Sequence, residues 1–275
     1  MVKSVIINGG EEIKIVLKKG KPLRGKIVNE KGEPLSGVTV ECYGGKFYMG
    51  RRTDKKGEFF FQAGPFKEET FFISAEGYAG KYVKMEGRDE PYLIVLKKPF
   101  RLKGKVIDEN GNPVKEFEIV KGRVWKEEWS AAWGRRKKYK NEEGKFEILF
   151  DTTEKWKVKF YAKGYKPYEY PEVFDADKKA EEEIIVRLEK GEVLKGKVFS
   201  RSKKPAEKVR VILAESGSYI GIKRGKIIYG SENYMETVTD SKGNFIFDGI
   251  ENKSYHLLLL HSEMGGKIID SISVS

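Results

Sequence analysis

One short pattern occurs three times along the chain and constrains its fold more than any other feature. It reads Leu-x-Gly-Lys followed by two apolar residues, and it lies at Leu23–Val28, Leu102–Ile107 and Leu194–Phe199. Recurrence of the same marker along a chain is the signature of a repeat architecture, in which each repeat is one structural unit. We therefore predict three similar units in tandem.

A second marker, Gly-x-Phe, follows each copy of the first, at Thr53–Phe59, Lys140–Phe146 and Thr239–Phe245. The distance between the glycines of the two markers grows from 32 to 40 to 47 residues. A constant pair of markers around a stretch of changing length indicates a fixed scaffold that carries one variable loop.

Apolar and polar residues alternate with a period of two around these markers, as at Val38, Val40 and Cys42. Such alternation predicts β-strands with one buried face, and sustained helical periodicity is nearly absent. Short strands separated by Gly, Asp and Asn turns are typical of antiparallel β-sandwiches. We predict an all-β chain in which three phenylalanines occupy equivalent core positions: Phe59, Phe146 and Phe245.

The repeat pattern also predicts the domain boundaries. The segment Glu12–Gly20 resembles Tyr92–Lys98 and Glu183–Gly191, which close the first two repeats, whereas no such segment is recognised in the third repeat. The favoured interpretation is a segment of a longer tandem array; the alternative is a chain whose first strand completes a neighbour's sheet. The predicted divisions are a closing strand or strands of a preceding repeat at 1–19, and repeats at 20–99, 100–190 and 191–275.

Composition removes several classes of function. The chain has 275 residues and a net charge of +12 from 54 Lys and Arg against 42 Asp and Glu, but this excess is spread over all the repeats. Nucleic-acid binding depends on a concentrated basic field, so no specific nucleic-acid partner is expected. A single cysteine excludes an internal disulfide framework. No apolar run reaches the length of a membrane span, and the first residues do not form a signal peptide.

The repeats resemble a known family in the order of their motifs. Gly-Lys-Val/Ile, Gly-x-Pro, Thr-Asp-x-x-Gly-x-Phe and a strand ending at Ala75–Tyr78 or Ala162–Tyr165 look like carboxypeptidase regulatory-like domains. The resemblance implies a seven-stranded, Greek-key, prealbumin-like (transthyretin-like) antiparallel sandwich, grouped with carbohydrate-binding-like folds. These motifs are turn and core positions, so the resemblance specifies no activity. The third repeat departs from the family pattern at Ser262–Gly266.

Residues with catalytic or metal-binding chemistry are few. His256 and His261 are five positions apart, so on a strand they point to opposite faces and do not share a metal. Cys42 alternates with inward residues and is predicted to be a small core residue. Asp108–Asn112 offers oxygen ligands, but it fits a hairpin turn better than a calcium loop. The expectation is a non-enzymatic chain without metal or cofactor.

The variable loops carry the distinctive side chains, because aromatic residues recur there beside basic ones. Indole and phenol rings stack on sugars, and arginine binds acidic groups with paired hydrogen bonds. In the second repeat, Trp125, Trp129 and Trp133 are spaced so that a short helix would align them. The alternative is that these aromatics pack the end of a sandwich or a joint between repeats. The candidate ligand-binding residues are Tyr48, Arg51, Arg52, Trp129, Trp133, Arg135 and Arg136.

These patterns favour a spacer and interaction module of a larger surface or secreted protein. Its expected partners are neighbouring domains of the same longer chain and a glycan or protein ligand. The family resemblance adds an extracellular or cell-envelope location and carbohydrate binding through the loops. The rival interpretation is a regulatory or substrate-positioning appendage of an enzyme or an outer-membrane transporter.

Overall fold

The computed structural model describes residues 19–42, 48–124, 131–216, 220–223, 226–229 and 234–274. The chain divides into two compact units, Met1–Lys98 and Pro99–Ser275. Within the described ranges every element of regular structure is a β-strand, which confirms the all-β prediction. No helix in this part of the chain is long and apolar enough to cross a membrane.

The N-terminal unit contains the first sandwich, in which the described residues form seven strands, the number that the resemblance implied. A three-stranded sheet of order β4-β1-β7 faces a four-stranded sheet of order β3-β2-β5-β6. The strands are β1 (Leu23–Val28), β2 (Thr39–Cys42), β3 (Met49–Arg52), β4 (Glu58–Phe61), β5 (Glu69–Ser74), β6 (Lys81–Met85) and β7 (Tyr92–Val95).

The second sandwich opens the C-terminal unit and repeats this plan. Its smaller sheet has the order β12-β8-β16, and in its larger sheet β10 and β11 both pair with β9 while β14 and β15 both pair with β13. The strands are β8 (Phe100–Ile107), β9 (Glu116–Val124), β10 (Ala131–Trp133), β11 (Lys137–Lys140), β12 (Lys145–Phe150), β13 (Lys155–Tyr161), β14 (Tyr168–Glu169), β15 (Phe174–Asp175) and β16 (Glu181–Arg187).

The third sandwich completes the C-terminal unit with a two-stranded pair β17-β22, a four-stranded sheet β21-β18-β23-β24 and a hairpin β19-β20. The hairpin belongs to the variable loop. The strands are β17 (Glu192–Lys197), β18 (Arg210–Glu215), β19 (Ile220–Lys223), β20 (Lys226–Tyr229), β21 (Tyr234–Val238), β22 (Asn244–Ile250), β23 (Ser254–His261) and β24 (Gly265–Ser273).

The sandwich architecture is confirmed, with one correction to the expected antiparallel pairing. In each of the first two sandwiches the last strand runs parallel to the first, so that β7 lies beside β1 and β16 beside β8. The preceding strands, β6 and β15, belong to the opposite sheet. The chain therefore crosses between sheets before it pairs, and a crossover is what a parallel neighbour requires.

In the second sandwich, the hairpin turn that follows β8 is stabilised by hydrogen bonds from backbone amides to one side chain. Asp108 accepts hydrogen bonds from the amides of Asn110 and Asn112 through Oδ1, at 2.9 and 2.8 Å. Gly111 has φ +84°, a conformation that costs glycine little. The predicted turn is therefore confirmed. Equivalent turns begin at Asn29, Asp54, Asn141 and Asp240.

Each sandwich has its own apolar core between its two sheets. In the second sandwich Phe100 and Phe174 stack across the layers at 6.0 Å between ring centres. Phe59 and Phe146 are buried, as predicted for the repeated marker position. Phe245 is only half-buried, so the prediction that it is buried like Phe59 and Phe146 is wrong. The reason is that no strand of the described chain covers that side of β17.

Candidate ligand-binding cleft

The second and third sandwiches meet through closely packed backbone. The amide of Gly191 donates to the carbonyl oxygen of Gly164 at 3.1 Å. Gly249 has φ +84°, and a Cβ on it would stand 2.5 Å from the carbonyl oxygen of Tyr165. A Cβ on Gly191 would stand 2.4 Å from the carbonyl carbon of Gly249. Only glycine permits this approach, so the joint holds two backbones in direct contact.

Beside this joint the two sandwiches enclose a cleft of about 740 Å³. The second sandwich supplies one wall from β9, β11 and the end of β13, and the third supplies the other from β21 and β22. An adjoining recess of about 260 Å³ shares Arg136, Tyr161, Pro167 and Met235 with the cleft. The side chains that define the cleft chemically are Glu116, Glu118, Arg136, Lys138, Tyr139, Tyr161, Tyr165, Met235, Glu236 and Asp248.

Arg136 is a cation of this cleft that two side-chain contacts hold in place. Its guanidinium carbon lies 3.7 Å from the centre of the Tyr161 ring, within the range of a cation–π contact. Its Nη1 lies 3.6 Å from Oε2 of Glu118. These two contacts orient the guanidinium plane, while about a third of the side chain stays exposed. Arg136 therefore presents preoriented donors to the cleft.

Two tyrosines and one glutamate of the cleft have pKa values that their surroundings shift. Burial raises the pKa of Tyr139, and burial followed by the charges of Asp108 and Glu109 raises the pKa of Tyr165. Both phenols therefore stay protonated near neutral pH. A hydrogen bond from Lys140 lowers the pKa of the Glu116 carboxyl, so this group stays ionised. The cleft consequently offers aromatic faces between charges of both signs.

The structure separates the four candidate residues of the second repeat. Arg136 lines the cleft, whereas its neighbour Arg135 is exposed and is not part of the lining. Trp125 and Trp129 lie outside the described residues. The backbone of Trp133 belongs to β10 and pairs with Gly122. Trp133 is therefore not part of the short helix that would align the three tryptophans. The reason is that the free edge of β9 offers ladder hydrogen bonds to residues 131–133.

The candidate residues of the first repeat lie on β3 or next to it, and they do not share one face. The hydroxyl of Tyr48 donates to Glu41 Oε1 at 2.9 Å, on the outer face of the sheet. Arg51 lies opposite Val40 and places its guanidinium carbon 5.7 Å from the ring centre of buried Phe61. Arg52 is exposed. Because strand residues alternate between faces, Tyr48 and Arg51 point to opposite sides.

The cysteine and the two histidines lie in the core or contact neighbouring residues of their own sandwich. Cys42 is buried in the core, as predicted. Nδ1 of His256 lies 3.4 Å from Asp270 Oδ1, and Nδ1 of His261 accepts hydrogen bonds from the amides of a following turn. Among the described residues, no three His, Cys, Asp or Glu side chains are grouped to hold a metal ion.

Several cleft residues were not candidates on the sequence alone, among them Tyr161, Met235 and Asp248. Tyr161 belongs to the second repeat, whereas Met235 and Asp248 belong to the third and follow it by more than 70 residues. No linear spacing relates them, because the joint between sandwiches brings them together. The sequence signal that bears on the cleft is the Ala-x-Gly-Tyr ending at Tyr165, which was interpreted as a fold marker.

Comparisons with known proteins leave the family open. No protein-family model matches the chain, and no curated protein matches it. Among solved structures, it is similar to the Bacillus anthracis TIE protein (16% identity, TM-score 0.30), covering 93% of this chain and 49% of that one. It is also similar to the minor pilin GBS52 of Streptococcus agalactiae (12% identity, TM-score 0.35), covering 66% of this chain and 100% of that one.

A third similar structure is a streptococcal ancillary pilin, with 11% identity, a TM-score of 0.28 and coverage of 93% of this chain and 96% of that one. The chain spans about half the length of the TIE protein. At these identities and TM-scores the likeness assigns neither a family nor a function. The resemblance to carboxypeptidase regulatory-like domains accordingly remains a resemblance of motifs.

Proposed function

We propose that the chain is a non-catalytic spacer and interaction module, which holds neighbouring parts of a larger surface or secreted protein at a fixed separation. The observation that carries this proposal is the glycine joint between the second and third sandwiches. Gly191 and Gly249 bring the two backbones into contact, and the linker that contains Gly191 leads directly into β17. Short linkers with buried backbone contacts restrict the motion of one domain against the next.

Distance measurements between spin labels test this rigidity. In a Cys42→Ala background, labels at the exposed positions Lys145 and Lys242 report on the second and third sandwiches. We expect one narrow distance distribution, which Gly249→Val broadens because the valine side chain separates the two backbones. Gly265→Val is the matched control, since Gly265 has a similar φ of +79° but no atom within 4 Å of its Cβ position. A broad distribution in the unmodified chain would contradict a fixed spacer.

A second candidate function is recognition of an acidic ligand, such as a uronic-acid polysaccharide, in the cleft. Arg136 favours it, because its guanidinium is held against Tyr161 and still faces an open aromatic cleft. Arginine binds carboxylates through paired hydrogen bonds, and phenol rings stack on sugar rings. On this proposal Arg136 is the ligand-binding member of the sequence candidates. Tyr48, Arg51, Arg52, Trp129, Trp133 and Arg135 remain untested as ligand residues.

Calorimetric titration with polygalacturonate oligomers tests the cleft. We expect Arg136→Gln to abolish the binding heat, whereas Arg135→Gln, the exposed neighbour outside the cleft, leaves it unchanged. If Arg136 serves packing alone, Arg136→Gln lowers the melting temperature and the unmodified chain shows no binding heat. That result would end the ligand proposal and leave the spacer proposal standing.

A further inference from the structure

Among the described residues, the first strand of the third sandwich has an open edge where its two counterparts are covered. In the first sandwich β1 lies between β4 and β7, and in the second β8 lies between β12 and β16. Within the part of the chain that the structure describes, β17 pairs with β22 alone. An edge of this kind presents backbone groups that pair readily with an added strand.

The core beneath this edge is incompletely covered. Leu23 and Leu102 are fully buried, whereas the equivalent Leu194 is only half-buried. The same contrast holds between buried Phe146 and half-buried Phe245. A large apolar side chain that remains partly in water forfeits part of its burial free energy. The third sandwich therefore gains stability from any strand that covers this side.

The marker glycines show directly where the covering strand is missing. A Cβ on Gly25 would stand 2.7 Å from the carbonyl oxygen of Tyr92, and one on Gly104 would stand 2.3 Å from that of Ile184. At Gly196 the three nearest atoms all belong to the ring of Phe245. Gly196 leaves room for a closing strand in the third sandwich, but no described strand lies beside it.

The chain contains a segment with the sequence of such a strand. In β16 and its continuation the buried residues are Ile184, Val186 and Leu188, and Leu188 precedes Gly196 by 8 residues. In Glu12–Lys18 the same alternate positions are apolar, and Leu17 precedes Gly25 by the same 8 residues. This segment lies outside the described residues, so only its sequence enters the comparison. The residues that correspond in sequence to Ile184, Val186 and Leu188 are Ile13, Ile15 and Leu17.

We propose that the open edge of β17 binds Glu12–Lys18 of a second copy of this chain as a parallel strand. The register follows from Gly104 opposite Ile184 in the second sandwich. It places Gly196 opposite Ile13 and Val198 opposite Ile15. The amide of Leu17 then donates to the carbonyl oxygen of Phe199.

The backbone hydrogen bonds of the other two sandwiches support this register. Leu96 donates through its amide to the carbonyl oxygen of Val28, and Leu188 donates to that of Ile107, both at 2.9 Å. Phe199 occupies the position of Val28 and Ile107 in the repeated marker. The added strand would therefore close the third sandwich in the same way.

The spacing along the chain favours a second copy as the donor. Glu12–Lys18 leads into β1 after four residues, just as β16 leads into β17 after a similarly short linker. A strand donated in this way brings a complete sandwich directly after it and continues the array. The donor surface differs from the acceptor surface, so the contact is heterologous and joins copies head to tail, in open chains or in rings where the rotation closes.

Light scattering coupled to size-exclusion chromatography tests the association over a range of concentrations of the full chain. We expect mass to rise with concentration in the unmodified protein. Ile15→Asp would place a carboxylate in the core, and we expect it to weaken association by more than about tenfold. Val16→Asp is the matched control, because it changes the outward neighbour in the same segment and leaves association nearly intact.

A synthetic peptide of residues 12–19 provides a second test that does not depend on the folding of a variant. We expect the peptide, and not a scrambled peptide, to dissociate the oligomers and to slow hydrogen exchange at the amides of Lys195–Phe199. A monomeric chain at all concentrations overturns the proposal, whether the edge is then closed by the chain's own segment or stays open. Association that Ile15→Asp and the peptide leave unchanged also overturns it.

Discussion

The backbone of Gly249 lies against that of Tyr165 with no room for a side chain between them: a Cβ on Gly249 would be 2.5 Å from the carbonyl oxygen and 2.7 Å from the amide nitrogen of Tyr165. These two residues belong to different sandwiches. Their contact fixes the spacing of the joint, and both residues line the cleft beside it.

Gly249→Ala should destabilise the joint more than a left-handed glycine substitution elsewhere. Alanine at positive φ costs about 1–2 kcal/mol by itself, and at Gly249 the backbone of Tyr165 adds a clash. Gly265→Ala has a similar φ and open space around its Cβ position, so it measures the conformational cost alone. Thermal unfolding of both variants checks this. Equal melting temperatures would show that the joint accommodates a methyl group.

The marker phenylalanines Phe146 and Phe245 should contribute different amounts to the free energy of unfolding. Phe146→Ala should lower the free energy of unfolding by about 3–5 kcal/mol, as expected for a fully buried ring. Phe245→Ala should cost clearly less, because Phe245 is already half-exposed. Hydrogen exchange resolved by sandwich measures each loss separately. Phe60→Ala, at a position 57% exposed, is the control and should have little effect. A loss at Phe245 as large as at Phe146 would mean that its ring is covered in solution.

Thr239 should stabilise the third sandwich through its hydroxyl rather than its methyl group. Its Oγ1 donates to the carbonyl oxygen of Ala206 at 2.7 Å and accepts from the amide of Val209 at 2.9 Å, and the side chain is buried. Thr239→Val keeps the shape but leaves two buried polar groups unpaired, at about 1–3 kcal/mol each. Urea unfolding measures the loss. Thr70→Val, at an exposed strand position, is the control. Identical unfolding of both variants would rule out this role.

The turn carboxylates should make the fold sensitive to acid. The side-chain hydrogen bond from Asn112 lowers the pKa of Asp108, and the backbone hydrogen bond from Asn244 lowers that of Asp240. A carboxyl whose pKa is lower in the folded state contributes stability above its unfolded pKa of about 3.9, and this contribution disappears as the pH falls through the folded pKa. Stability should therefore fall as the pH drops below about 5.

Replacing both residues by asparagine tests this assignment. Asn29 and Asn141 build equivalent turns in this chain, so an amide oxygen fits the site. We expect Asp108→Asn with Asp240→Asn to flatten the decline in melting temperature between about pH 5 and pH 2. At neutral pH the turns should persist. An unchanged acid profile would assign the acid sensitivity to other carboxylates.

Much of the fold was predictable because it depends on short-range patterns. Alternation at Val38, Val40 and Cys42 identified a buried strand face, and the Asp108 turn was recognised from residues that contact each other within the same turn. The parallel pairing of Ile184 with Gly104 was not predicted, because alternation is the same for either strand direction. Strand direction depends on the crossover between sheets, which no local pattern encodes.

The cleft was predictable only in part. The loop that contains Arg136 is a candidate because aromatic and basic residues recur there, but on the sequence alone Arg135 is an equal candidate. Only the position of Tyr161 beside one guanidinium distinguishes the two arginines. The sequence by itself determined the three repeats, their strands and their turns, since these follow from periodicity and local hydrogen bonds. The tertiary structure decided which side chains share a cleft and which strand edge is left open among the described residues, because both depend on contacts between residues far apart in the chain.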